Sequence, residues 1–249
     1  MTKFTFAQII ASLPPEKNLA DSPVTRYLYR PVSFAAAWIF LAFGWRANSV
    51  TYLSALLCLV GFAFLVAGPL WAAWVGLGLF FIFAVLDCAD GNMARVLKSA
   101  SPWGEWVDAF GGYIAYTTVL LGAGAASQSL SHSVLPGLPG AILPWPGGWT
   151  LVGGAAASAN LFMRTIYQAH RAITPDPGRS SVGAEKKLSE NLGITGALLP
   201  ALCVGLAFGF LPWVLLAYAI FYCGGCVLVA IKLARRVEAE IRQGRKGAG

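Results

Sequence analysis

Charge is what this chain has least of. Only 12% of its 249 residues are charged and 57% are hydrophobic, whereas an ordinary soluble domain is nearer a quarter charged. That excludes a soluble enzyme with a large core and points to an integral membrane protein. The N-terminus has no basic region followed by a long apolar run, so no cleavable signal peptide is expected. Cysteines are few, and Cys58, Cys88, Cys203, Cys223 and Cys226 all fall in apolar segments. Cys223 and Cys226 form a C-x-x-C without a second pair or a nearby histidine, so the five read as small buried apolar residues. No repeat with a period of 20–50 residues is present, and no second domain. The net charge of +7 does not read as nucleic-acid affinity, because its distribution along the chain follows the positive-inside rule.

Apolar runs are what the chain has in quantity. Six are long enough to span about 30 Å of hydrocarbon, near 48–68, 70–96, 103–128, 147–171, 191–211 and 213–236. Ahead of them, residues 21–45 mix Arg26 and Arg30 with aromatic and aliphatic side chains. This segment is expected to be an amphipathic helix lying in the interface, with Pro31 at its start or at a kink. The expected fold is an all-α integral membrane protein: six transmembrane helices preceded by one interfacial helix. The expected organisation is a tail over 1–20, a membrane domain over 21–236 and a basic tail over 237–249. Pro200 falls inside the fifth run and is expected to kink it. Trp103, Trp145, Trp149 and Trp213 lie near run ends, as an aromatic belt places them.

Orientation follows from the cations. Arg46, Arg95, Lys98, Arg171, Arg179, Lys186, Lys187, Lys232, Arg235 and Arg236 share one side. The opposite turns, around Gly68, 129–148 and Leu211, contain no Lys or Arg. Both termini are therefore expected in the cytoplasm, and the proline-rich connection with His132, Pro136, Pro139, Pro144 and Pro146 outside it.

Against this background, acids at the end of an apolar run stand out, since intramembrane charge is costly and usually functional. Asp87 and Asp90 are three apart and share a helix face. Gly104 and Asp108 are four apart and share a face of the next helix. A short link with Ser101 and Pro102 makes the two helices antiparallel neighbours, so the acids meet at the cytoplasmic end. Carboxylates with no histidine or thiolate beside them suit Mg²⁺, Mn²⁺ or Ca²⁺. The small residues Gly91, Ala94 and Gly104 either let helices pack closely or leave room for a ligand.

The pattern Asp87, Asp90, Gly91, Ala94, Arg95, Gly104, Asp108 resembles the signature of the CDP-alcohol phosphotransferase family. That signature is Asp-x-x-Asp-Gly-x-x-Ala-Arg, eight residues, Gly-x-x-x-Asp-x-x-x-Asp. Asn48-Ser49-Val50-Thr51 is similar to the Asn-x-x-Thr that opens the first span in relatives. The resemblance covers roughly residues 25 to 236. It implies transfer of a phospho-alcohol group, phosphatidyl above all, from a CDP-alcohol such as CDP-diacylglycerol to a second alcohol, with release of CMP, in phospholipid biosynthesis. It further implies two divalent ions, Mg²⁺ or Mn²⁺, held by Asp87, Asp90 and Asp108. Gly91, Ala94 and Gly104 would border the nucleotide. Arg95 would anchor near the nucleotide or the acids, and Asn48 and Thr51 would touch the diphosphate. A homodimer in a bacterial inner membrane, with the active site on the cytoplasmic side, is the matching expectation.

The chain departs from the signature at its last acid, which here is Gly112. Relatives use that acid as the general base for the acceptor hydroxyl. Three readings are open. The acceptor arrives ionised; or Glu105, Tyr113, Tyr116 or a metal-bound hydroxide replaces the base; or the protein binds a CDP-alcohol without efficient turnover, as an impaired member or the partner of an active homologue. Glu105 lies on a similar face, but seven residues back, about 10.5 Å along the helix. On the acceptor side, Arg164 inside the fourth run wants a partner, and Lys186 and Lys187 follow it towards the cytoplasm, forming with it a pocket for an anionic acceptor. His170 reads as interfacial.

Overall fold

The computed structural model describes residues 4–131, 147–173, 188 and 191–247. All regular structure among them is helical. The connection over 132–146 and the cations Arg179, Lys186 and Lys187 lie outside the described residues, as do Trp145 and the side chains of His170 and Arg171.

Two short helices come first, α1 (Phe6–Ala11) and α2 (Pro15–Ala20). Thr5 caps α1 through a reciprocal box: its hydroxyl accepts from the Gln8 N–H, and the Gln8 side chain accepts from the Thr5 N–H. This satisfies two amides that a helix start leaves orphaned. Ile9 is fully buried from α1 among Ala37, Val50, Ala89 and Met93, so residues expected as a tail are packed onto the bundle. A π-helical turn, Thr25–Tyr29, runs into α3 (Arg30–Ala42). Pro31 sits in the first turn of α3, where its missing N–H costs nothing. At 13 residues, α3 is about 20 Å long, too short to cross about 30 Å of hydrocarbon.

The spans follow as α4 (Ala47–Val66), α5 (Leu70–Val96), α6 (Pro102–Ser131), α7 (Gly148–Ile173), a π-helical turn (Ile194–Leu198) leading into α8 (Leu199–Ala207), and α9 (Leu211–Gly247). Gly68, at φ +102°, makes the turn from α4 into α5. Among the described residues, four helices are long and apolar enough to cross a membrane: α4, α5, α6 and the Leu211–Glu238 part of α9. The chain is thus an all-α membrane protein with four helices of that kind among the described residues. The helix α7 has the length, yet it carries Asn160 and Arg164 and is rich in Gly, Ala and Ser. One side of it packs on α6 and α9, so that side does not need to be apolar, while Leu151 and Phe162 are exposed on the other. The fifth run is broken. Gly196 has non-helical backbone (φ −103°, ψ −128°), and Pro200 stands four residues later. A proline ring clashes with the carbonyl four residues back, which accounts for the break. The apolar piece Ile194–Ala207 is shorter than a span.

Helix α4 packs on α5 and α6, α6 on α7, and α7 on α9. Lipid tails are as apolar as leucine, so contact and small residues hold such helices together rather than the hydrophobic effect. At the α6–α7 crossing, Gly124 and Gly153 meet backbone to backbone: a Cβ on Gly153 would lie 2.5 Å from the Leu120 carbonyl oxygen. Gly61 and Gly76 do the same between α4 and α5. Trp149, expected in an aromatic belt, is 1% exposed and belongs to the core with Phe83 and Tyr222. It starts the helix that inserts against α6. Trp103 and Trp213 remain on the surface.

Gly153→Val should push α6 and α7 apart and destabilise the protein by at least about 1–3 kcal/mol, the usual range for overpacking. Gly154→Ala should be close to neutral, because the nearest atom to its Cβ would be 3.8 Å away. Thermal unfolding of both variants in detergent checks the pair.

Candidate active site

Asp87 and Asp90 lie in the C-terminal half of α5 and Asp108 in the second turn of α6. Asp90 is 6% exposed, Asp87 is half-buried and Asp108 exposed. Thr51 reaches across from the second turn of α4 and donates its hydroxyl to Asp90 Oδ2 at 2.6 Å. Asn48, one turn earlier, stands beside Gly104: a Cβ there would sit 3.5 Å from Asn48 Oδ1. A Cβ on Gly111 would sit 3.6 Å from the Thr51 methyl. Small residues on α6 therefore admit the first turns of α4 beside the acids. The turn from α5 to α6 is tight, with Lys98 at φ +50°, and Ser101 Oγ accepts from the Gly104 N–H at 3.1 Å to cap α6.

None of the three acids bonds to a Lys or Arg among the described residues. They act on one another electrostatically, and Lys17 on α2 and Arg164 on α7 reach both Asp87 and Asp108. Unpaired carboxylates at the end of an apolar bundle fit a hard divalent cation by their chemistry. Their side chains are not drawn into a closed ligand set: no group of three His, Cys, Asp or Glu is arranged to hold a metal among the described residues. Lys17 was missed by sequence reasoning, which treated residues 1–20 as a tail. No local signal points to a charge from α2 acting on the acids.

A second polar network lies under the first. Arg30 Nε donates to Asp21 Oδ2 at 2.6 Å, with the two side chains 6% and 12% exposed. Asn92 Oδ1 accepts from Arg30 Nη1 at 3.4 Å and from Arg95 Nη2 at 2.5 Å, while its amide donates to Ser33 Oγ at 3.0 Å. Asn92 thus ties α5 to α3, and it holds two guanidinium groups with one carbonyl. Sequence reasoning passed over it because it occupies a free position of the signature, although an asparagine in an apolar helix is itself a signal. Among the described residues Arg95 bonds to no acid. Its guanidinium lies along Gly91, 3.6 Å from where a Cβ would be, and its Nε is buried without a partner among the described residues. Ala94 packs against the cluster around Ile9 and Met93.

Arg164 is held inside the bundle. Its Nε donates to Asn160 Oδ1 at 3.1 Å, and its Cζ lies 4.3 Å from the centre of the Tyr116 ring and 5.8 Å from that of Tyr113. Tyr116 is fixed in turn, its hydroxyl accepting from the Ile194 N–H at 2.9 Å. A Cβ on Gly112 would lie 3.8 Å from Arg164 Nη1. Glu105 is exposed at the start of α6.

The model of one family, CDP-alcohol phosphatidyltransferase, matches residues 44–225. That range contains the three acids, Asn48, Thr51 and Arg164, and most of the chain. The protein belongs to the CDP-alcohol phosphatidyltransferase family. No match was found among curated proteins. Members of this family transfer a phospho-alcohol from a CDP-alcohol in lipid biosynthesis, and they are generally dependent on a divalent metal. As in a membrane-integral member of this family, apolar side chains such as Leu56, Leu59, Ile220 and Leu228 turn outward.

The Asp21–Arg30 pair allows a direct check of the network. Asp21→Ala leaves the Arg30 guanidinium buried without its carboxylate, a loss that typically costs about 3–5 kcal/mol. A large drop in melting temperature is expected, and a smaller one for the double variant Asp21→Ala, Arg30→Met.

Proposed function

We propose that this protein moves a phosphatidyl group from a CDP-alcohol such as CDP-diacylglycerol to an acceptor at the cytoplasmic leaflet, releasing CMP. The observation that carries the reading is the set of three acids at the end of α5 and α6, unpaired with any described cation, with Thr51 bonded to the buried one. Asp87, Asp90 and Asp108 would hold the Mg²⁺ or Mn²⁺ ions. Bound there, the ions would supply positive charge to the donor's diphosphate.

The chain's own residues do the rest. Thr51 holds Asp90 Oδ2 and so sets the direction of its other oxygen. Asn48 stands at the mouth beside Gly104, within the space a diphosphate would enter. Gly91 leaves a cleft over which Arg95 lies, and the buried, unpartnered Nε of Arg95 is a donor for an anionic group of the nucleotide. Lys17 adds a positive charge at the same mouth. The cytoplasmic placement rests on the cations Arg46, Arg95, Lys98, Lys232, Arg235 and Arg236, all at one end of the spans. A homodimer is the form we expect, as for relatives.

Gly112 and the open arrangement of the acids favour a second reading, a member that binds CDP-alcohol with little turnover or partners an active homologue. Purified protein in liposomes with CDP-diacylglycerol and Mg²⁺ or Mn²⁺ separates the two. The transferase should release CMP only with metal. Replacing residues that merely orient metal ligands costs about 10–100-fold, so Thr51→Val should lose activity in that range and Asp90→Asn should lose more. Donor binding with no CMP from any acceptor would establish the binding member instead.

A further inference from the structure

We propose that Arg164 and Gly112 form an anion seat, and that the acceptor's attacking oxygen arrives as a phosphorus oxyanion, from a phosphate monoester or a phosphonate. The inference rests on the transferase reading above and concerns what that site accepts.

The position one helical turn beyond Asp108 is where relatives place a base. Here it has no side chain, and among the described residues of the other helices the atom that a Cβ at Gly112 would meet within 4 Å is Arg164 Nη1. Arginine stays protonated and has no lone pair to take a proton. A hydroxyl acceptor would find nothing at this position to deprotonate it. An oxyanion would find a cation. Two of the three alternative bases on the same helix do not serve: Glu105 is exposed and two turns away, and the Tyr116 hydroxyl is buried and occupied by the Ile194 N–H; the third, Tyr113, stands beside the same guanidinium.

Arg164 is built as a seat rather than as a solvated charge. The Asn160 carbonyl takes its Nε, and its Cζ lies over the Tyr116 ring, 4.3 Å from the ring centre. Its two terminal nitrogens bond to no described residue and no acid pairs with it among the described residues. A fixed, half-buried guanidinium with its fork open is the geometry that binds two oxygens of one phosphoryl or phosphonyl group. Arg164 also reaches Asp87 and Asp108 electrostatically, so the seat adjoins the acids that would hold the donor.

The step balances without a base. An oxyanion attacks the phosphorus that carries the donor alcohol and forms a new P–O bond. The bond from that phosphorus to the bridging oxygen breaks, and CMP leaves with the electron pair. One phosphoric anhydride replaces another, and no proton is released. A carboxylate would instead yield an acyl phosphate, a less stable anhydride than the donor, which is why phosphorus oxyanions are the class proposed. A hydroxyl acceptor would release one proton for each CMP.

The test uses the full chain in liposomes with CDP-diacylglycerol and Mg²⁺, and three acceptors: methylphosphonate and ethyl phosphate, which have no hydroxyl to deprotonate at these pH values beyond the phosphorus acid itself, and glycerol. Assays run at pH 8.5, where both oxyanions are fully ionised, with CMP and proton release recorded together. CMP without proton release is expected from one or both oxyanions, and the arm that works names the source. Arg164→Gln should lower that release about 10–100-fold, the effect of losing a charge-assisted bidentate contact, and Arg164→Lys should recover part of it. Gly112→Asp should lower it similarly by pairing with Arg164, and should raise glycerol-dependent release with one proton per CMP. Release from glycerol alone, with a proton, overturns the seat and leaves the transferase standing. Arg164→Gln losses equal for glycerol and oxyanions overturn it as well. No CMP from any acceptor overturns the transferase reading and the seat together.

Discussion

The constraint on which this structure depends is the cost of placing charge in an apolar bundle. Asp87 and Asp90 lie in a helix that is otherwise long and apolar enough to cross a membrane. They persist there because the surrounding helices supply polar contacts at that end. Thr51 comes from α4, Asp108 from α6, and the cations Lys17, Arg30 and Arg164 approach from α2, α3 and α7. Helices that share little apolar driving force in lipid are thereby given a common polar focus. The close crossings at Gly61–Gly76 and Gly124–Gly153 let α4, α5, α6 and α7 come near enough to share it.

The N-terminal part of the chain belongs to the same arrangement. Ile9 inserts into the cluster between α3 and α5. Asp21, Arg30, Asn92 and Ser33 lock the interfacial helix to α5 just beneath the signature residues. Thr25 donates to the Thr195 carbonyl at 2.6 Å, joining the π-helical turn before α3 to the broken fifth run. That run has free carbonyls because Pro200 and Gly196 interrupt it, and the N-terminal segment and Tyr116 take up its polar groups. Tyr116 then connects the break to Arg164, so a proline in α8 bears on a guanidinium in α7.

Much of the site was legible in the sequence because its residues are close in number. Asp87, Asp90, Gly91 and Arg95 lie on one helix, and Gly104 and Asp108 start the next, so helical spacing and a short link suffice to bring them together. The interfacial helix was legible from its length and its arginines, and the break near Pro200 from the proline itself. The inward side of α7 was less legible: hydropathy measured along the chain treats every helix as lipid-facing, whereas one side of α7 packs on α6 and α9 and tolerates Asn160 and Arg164. Trp149 misled for the same reason: its place in the sequence is a span end, but its place in space is the core.

The sequence by itself determined the class of protein, the positions of the costly charges and the absence of an acid at 112, because composition and spacing along a helix are local properties. Tertiary structure alone decided what faces Gly112, which acid Thr51 holds, and that Lys17 and Asn92 belong to the polar end of the bundle. Those partners are separated by up to 91 positions in the chain, and only helix packing determines which side chains meet.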